Sequence, residues 1–219
     1  MGTPTLAGPL DQLAVALLVV VLIQVTLRSL QSAIAMVFLQ GVLLVATALV
    51  VATSTERPDV YVGVAIIALS KVVLLPALLV LSWRTLPVKV ETRPLLSTRA
   101  MFVASVGLTL VAYDAAGALA LPGAMPSRQA LPVALALMLI GLFSMIVRRK
   151  ALGQVVGLVT LDNGIALASL VATAGLPLAV ELGVAFDVLI GVAVMGVVVG
   201  RIGQAFQSTD IDYLRGLRG

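Results

Sequence analysis

Residues 60–83 read VYVGVAIIALSKVVLLPALLVLSW, an apolar run that carries a single charged residue, Lys71. About 20 apolar residues in a row are what a helix needs to cross the hydrocarbon core of a bilayer. Tyr61 and Trp83 stand at the two ends of the run, where the aromatic belt of a membrane helix is expected. Lys71 falls near its middle. Pro76, five residues on, lacks an N–H and frees the carbonyl of Val72, beside that lysine. A proline is also a common guest of membrane helices, so its place next to a buried charge has a neutral reading as well.

The rest of the 219-residue chain follows the same pattern, with 61% hydrophobic and 11% charged residues. A soluble protein of this length would carry more charge. The apolar blocks predict helices at 6–27, 32–53, 60–83, 100–121, 130–147, 151–174 and 180–205. The expected fold is all-α, a polytopic membrane bundle of about seven helices. Tyr113 and Asp114 make the fourth the least typical span, and the fifth is short. The longest polar segment, 84–99, reads as a loop, so no soluble domain is expected. Residues 1–8 contain no Lys or Arg, which argues for a retained first helix over a signal peptide. Pro58, Pro87, Pro94, Pro122, Pro126 and Pro177 fall at or between helix ends, and Pro132 suits a first helical turn.

Loop charges orient this bundle. With the N-terminus outside, the cytoplasmic side holds Arg28, Arg84, Lys89, Arg93, Arg99, Arg148, Arg149, Lys150, Arg201, Arg215 and Arg218. The outer side holds Arg57 and Arg128, with Glu56, Asp59 and Glu181. That is the positive-inside pattern, and moving the count by one helix would spoil it. The net charge of +4 therefore reports topology before any partner. No basic groove interleaved with aromatics is present, so nucleic acid is not an expected ligand. The absence of Cys and His removes haem on a histidine, iron–sulfur clusters, the usual zinc sites and thiol or imidazole catalysis. No catalytic residue, cofactor or metal site is expected in the chain.

Four ionisable residues lie inside the spans: Lys71, Asp114, Asp162 and Asp187. Charge within a membrane is costly and usually kept for a pathway, a relay or a partner. Asp162 sits in Thr160-Leu161-Asp162-Asn163-Gly164, whose small and polar neighbours suit a hydrated pocket. Low dielectric disfavours its charged form, and a carboxyl poised between two protonation states is what a proton relay uses. Its structural alternative is a neutral carboxyl bonded to a neighbouring helix. Asp187 lies in the next span, and the hairpin of the sixth and seventh helices can bring the two acids to one interface, with water between them. Lys71 exchanges protons or forms a static ion pair, and Asp114, on the following helix, is its expected partner. Asp114, Asn163 and Ser70 are secondary candidates, Asp114 chiefly as a structural or cavity-lining residue. The glycines of the last three helices, with Gly153–Gly157 and Gly196–Gly200 at GxxxG spacing, read as close helix packing.

The stretch Val147-Arg148-Arg149-Lys150-Ala151-Leu152-Gly153-Gln154-Val155-Val156-Gly157-Leu158 resembles the three-helix subunit K of respiratory complex I, the ND4L type. So do Asp187-Val188-Leu189-Ile190-Gly191-Val192-Ala193 and the ending Ile211-Asp212-Tyr213-Leu214-Arg215-Gly216-Leu217-Arg218-Gly219. That family carries two buried glutamates on consecutive helices. Asp187 matches the second, and the first would fall on Val159. The acid at Asp162, one turn later and directly before Asn163-Gly164, is similar instead to the hydrogenase-4 membrane component E family. Ser70-Lys71-Val72-Val73-Leu74-Leu75-Pro76 resembles that family's third helix. Glutamate is usual at both acidic positions there, and Asp114 has no counterpart.

The resemblance divides the chain into a four-helix region, 1–129, and a subunit K-like region, 130–219, with a cytoplasmic tail. It implies a non-catalytic subunit in the membrane arm of a complex I-related oxidoreductase of the prokaryotic cytoplasmic (inner) membrane. Its partners would be antiporter-like membrane subunits and a soluble hydrogenase-like redox module, where any nickel–iron site and iron–sulfur clusters would reside. Asp162, Asp187 and Lys71 would serve translocation of protons or sodium. An autonomous secondary transporter and a purely structural scaffold are the competing readings. Inverted repeats and a broken-helix substrate site would mark the transporter, and neither is evident. The orientation is tested by a reporter fused after Gly219: it should score as cytoplasmic, and an outside location would reject the topology.

Overall fold

The computed structural model describes residues 7–55, 58–84, 95–118, 127, 129–172 and 190–191, and these form an all-helical bundle. Helix α1 spans Ala7–Thr26 and α2 spans Leu30–Thr55. The third rod is composite: α3 (Pro58–Ala68), a π-helical segment (Leu69–Leu74) and α4 (Leu75–Arg84). Then come α5 (Thr98–Ala118), α6 (Ala130–Val147) and α7 (Ala151–Ala172). Counting the composite rod once, six helices among the described residues are long and apolar enough to cross a membrane. The span expected at 180–205, with Asp187, lies outside the described residues except for Ile190 and Gly191.

Local chemistry explains where these helices start. Ser97 Oγ accepts the Ala100 N–H at 3.2 Å, and Ser127 Oγ accepts the Ala130 N–H at 3.0 Å. Each covers a donor that a first turn leaves without an intrahelical partner. Pro58 opens α3 and Pro132 lies in the first turn of α6, where a missing N–H is harmless. Hydroxyls within the spans turn back on their own helix. Thr47 donates to the Leu43 carbonyl at 2.9 Å, Ser82 to Leu78 at 2.8 Å and Ser105 to Met101 at 2.9 Å. A polar group in hydrocarbon is thereby satisfied without a second helix.

Helix α7 is the most enclosed of the described spans and packs against α6, α2 and α4. Helix α2 also touches α1, α3 and the π segment, whereas α5 lies against α6 and α1 at the edge. Val103, Leu110, Val111 and Ile146 are among the large apolar side chains left on the outside, as a lipid-facing surface requires.

The interior is divided into two apolar clusters. One joins Leu30, Val37, Leu75, Leu79, Leu152 and Val156. The other joins Leu17, Leu44, Val64, Leu137, Ile140 and Leu167. Between them, along α2, the composite rod and α7 alike, the sequence turns polar: Gln40, Ser70 with Lys71, and Thr160 with Asp162 and Asn163, all buried.

Among the described helices, α6 and α7 approach closely. A Cβ added to Gly141 would stand 2.5 Å from the backbone nitrogen of Leu161, and one on Gly157 would stand 2.9 Å from the carbonyl oxygen of Gly141. Backbone faces backbone, so nothing there can rotate away. Gly141→Ala should therefore lower stability by about 1–3 kcal/mol, the usual cost of overpacking. Gly107→Ala on α5, where a Cβ meets nothing within 4 Å, should be neutral. Thermal unfolding of both variants in detergent checks this, and equal midpoints would contradict the packing described.

Candidate functional site: a buried polar layer

The site begins with an irregularity of the third rod. Leu75 donates its N–H to the carbonyl of Ser70, five residues back, the hydrogen bond of a π-helix. Pro76 follows at once and cannot donate. The π segment thus takes up the register change beside the proline, and it carries Ser70 and Lys71 into the interior. Helix α2 closes on it through Gly41, where a Cβ would lie 2.6 Å from the carbonyl oxygen of Lys71. Only glycine permits that approach, and it brings Gln40 to the same level of the bundle.

Lys71 forms an ion pair with Asp162 of α7; their relative exposures are 3% and 1%. Asp162 lies 11 residues beyond the start of α7, about 16 Å along the axis, or half of a ~30 Å hydrocarbon core. Removing both charges from water carries a penalty of several kcal/mol per ion, offset only by close pairing. Asp162 was expected to be buried, and it is. The lysine's partner differs from the expectation: Asp114 is exposed on α5. The reason is topological. Helix α5 packs on α6 and α1, while α7 returns against α4 and α2, so the following helix in sequence is not the neighbour in space.

The next residue extends the layer. Asn163 Nδ2 donates to Gln40 Oε1 at 2.9 Å, and Gln40 Nε2 donates in turn to Gln24 Oε1 of α1. Thr160 Oγ1 reaches the same Gln24 oxygen at 3.5 Å while donating to the Val156 carbonyl at 2.9 Å. Gln24, Gln40 and Asn163 are all buried. Arg148 completes the arrangement from the α6–α7 turn. Its guanidinium donates to the carbonyls of Gln24 and Leu27, at 3.3 and 3.4 Å. Both carbonyls lie at the C-terminal end of α1, where a cation is favoured, and that of Gln24 also accepts the Leu27 N–H at 3.1 Å. Arg148 is therefore a buried helix cap as well as one of the loop charges that suggested the topology.

Of the candidate residues, Lys71, Asp162, Asn163 and Ser70 come together in this layer. Ser70 stays local, its Oγ donating to the Ile67 carbonyl at 3.3 Å. Asp114 is outside the layer, and Asp187 lies outside the described residues. Gln24 and Gln40 were not named from sequence, while Thr160 was read only as a polar neighbour of Asp162 and Arg148 only as a loop charge. The available signal was the pair of amides inside otherwise apolar runs, since an amide in a span needs a partner on another helix.

A second polar cluster ties the opposite ends of α1 and α6 together. Asp11 accepts hydrogen bonds from Ser127 Oγ and from the Gln129 N–H (3.2 Å), and Tyr113 donates to Gln129 Oε1 at 2.9 Å. A carboxylate at the N-terminal end of α6 suits the helix dipole. This cluster holds helix ends in place and is separate from the central layer.

No protein-family model matches the chain, and no solved structure matches it. Among curated proteins, hydrogenase-4 component E of Escherichia coli is 27% identical over 151 residues, 69% of this chain and 70% of that protein. The protein of the same name from Shigella flexneri gives the same figures. The uncharacterized protein Rv0085 of Mycobacterium tuberculosis is 38% identical over 163 residues, 74% of each chain. The chain accordingly belongs to one family with that mycobacterial protein, and hydrogenase-4 component E is its more distant relative.

Proposed function

We propose that this chain is a non-catalytic membrane-arm subunit of a complex I-related, hydrogenase-4-type oxidoreductase, and that its buried polar layer takes part in redox-driven proton translocation. The observation that carries this reading is the Lys71–Asp162 pair, held at mid-membrane depth between two apolar clusters. The distant kinship with hydrogenase-4 component E supports the type of complex. The redox centres belong to partner subunits, and antiporter-like membrane proteins are the natural neighbours of this chain in the inner membrane. Its topology in this reading is seven spans with the C-terminus in the cytoplasm. Residues 130–219 form a subunit K-like unit behind an N-terminal region, 1–129.

A lysine–carboxylate pair has two states of equal net charge. In one, ammonium faces carboxylate. In the other, the proton has moved from Nζ to the carboxyl oxygen, leaving amine and acid. Low dielectric brings the two states closer in energy, because the ionic state loses hydration. A small change of field from a neighbouring subunit then selects between them, and a proton can be released or taken up. The pair also favours protons over sodium as the cargo, since a sodium ion at Asp162 would be held beside the ammonium of Lys71. Asp187, as the family's second acid, is the proposed next station.

Asp162→Asn keeps the shape and removes titration. It should assemble, leave electron transfer in the soluble module intact and abolish most redox-driven proton movement. Asp162→Glu should be milder. The measurement is redox turnover beside proton uptake in vesicles, with assembly followed on native gels. Full pumping by an Asp162→Asn, Asp187→Asn double variant would leave the scaffold reading in place.

Lys71→Met should also impair coupling while the complex assembles, because the stranded Asp162 can become neutral by binding a proton. If the pair is only static glue, the same change should instead remove the complex from the membrane. Breaking a buried pair of that kind costs about 3–5 kcal/mol. Adding Asp162→Asn to Lys71→Met would then restore assembly.

A further inference from the structure

The amide chain Asn163–Gln40–Gln24 leads away from Asp162 toward Arg148. Amides do not titrate in the biological range, so this chain orders the layer without itself passing protons. Two buried oxygens at its inner end, Asp162 Oδ1 and Asn163 Oδ1, accept no hydrogen bond among the described residues. Such acceptors call for a small donor, and water is the smallest.

Two crevices are lined by residues of the layer and of the helix ends beside the α6–α7 turn. The inner one, between α1, α6 and α7, is lined by Gln24, Ser144, Arg148, Val156, Gly157 and Thr160 among others, and is too narrow for water in this conformation. The outer one, beside Arg28, Thr98 and Met101, has about 10 Å³ for water, room for roughly one molecule. Arg148 lines both. Thr160, at the inner crevice, is three residues from Asn163, about 4.5 Å along the helix axis.

We infer that water reaches the Lys71–Asp162 pair from the α6–α7 turn, between α1, α6 and α7, with Arg148 as the partition and Gln24 and Thr160 as the polar lining. Arg148 holds the entrance shut while its guanidinium caps α1. Swinging off the Gln24 and Leu27 carbonyls joins the two crevices, and its charge discourages other cations from following. This inference rests on the relay reading for its purpose, but its geometry is tested without any pumping.

The sequence has no cysteine, so single cysteines can be placed in the protein within its own membranes. Ser144→Cys, Thr160→Cys and Val156→Cys probe the inner crevice. Arg149→Cys, on the exposed α6–α7 turn, reports the side on which that turn lies. Leu137→Cys, in the apolar cluster, sets the unreactive baseline. Vesicles of both orientations are treated with a small water-soluble methanethiosulfonate, and labelling of this chain is read by mass spectrometry.

The crevice cysteines should react from the same side as Arg149→Cys, at least about tenfold faster than Leu137→Cys. Adding Arg148→Gln should speed labelling of Thr160→Cys several-fold. Val156→Cys removes no polar group and decides the matter if Thr160→Cys fails to accumulate. Crevice cysteines that stay at the Leu137→Cys baseline, or that react only from the opposite side, would overturn the entrance. Loss of the relay claim through fully active Asp162→Asn, Asp187→Asn vesicles would leave the labelling result standing on its own.

Discussion

A lysine and an aspartate at mid-membrane depth constrain everything around them. Neither charge can be left alone in hydrocarbon, and neither can reach the other unless three rods are brought to one level. The π segment turns Lys71 inward, Gly41 lets α2 press against its backbone, and the return of α7 against α4 supplies Asp162. These contacts enclose the pair, so the packing of α2, the composite rod and α7 is tied to electrostatics as much as to shape.

Around that pair the bundle is stratified. Apolar side chains fill the layers on either side, and amides, a threonine and the ion pair occupy the layer between. A layer of this kind is an unfavourable place to put polar atoms unless each finds a partner. Most do so across helix boundaries, from α7 to α2 to α1, which makes the layer a specific cross-link between three spans. The two acceptor oxygens without a donor among the described residues belong to Asp162 of the ion pair and to its neighbour Asn163. The least satisfied point of the layer is therefore the one where its charge is concentrated.

Arg148 joins two roles that are usually separate. As one of three consecutive basic residues it marks a side of the membrane. As a buried cap on α1 it lines both crevices between the turn and the amide chain. Its neighbours Arg149, exposed, and Lys150, partly so, keep the ordinary loop role. The division shows why counting basic residues in a loop says little about what each one does.

Much of this protein was set by composition alone. Apolar blocks of bilayer length, broken by prolines and basic turns, specify spanning helices, because hydrocarbon leaves the backbone no other way to satisfy its hydrogen bonds. The first six spans lie close to where hydropathy puts them, and the depth of Lys71 and Asp162 follows from their position in the runs. What the linear order did not contain is which helix stands beside which. Lys71 is nearer in sequence to Asp114 yet pairs with Asp162, because α5 packs away on α6 and α1 while α7 folds back. The π register at Leu69–Leu74 and the meeting of Gln24, Gln40 and Asn163 likewise arise only in the packed bundle. Burial depth is a property of one helix and can be read along it. Partnership between polar groups depends on the rotation and neighbours of several helices at once, and tertiary packing alone decides it.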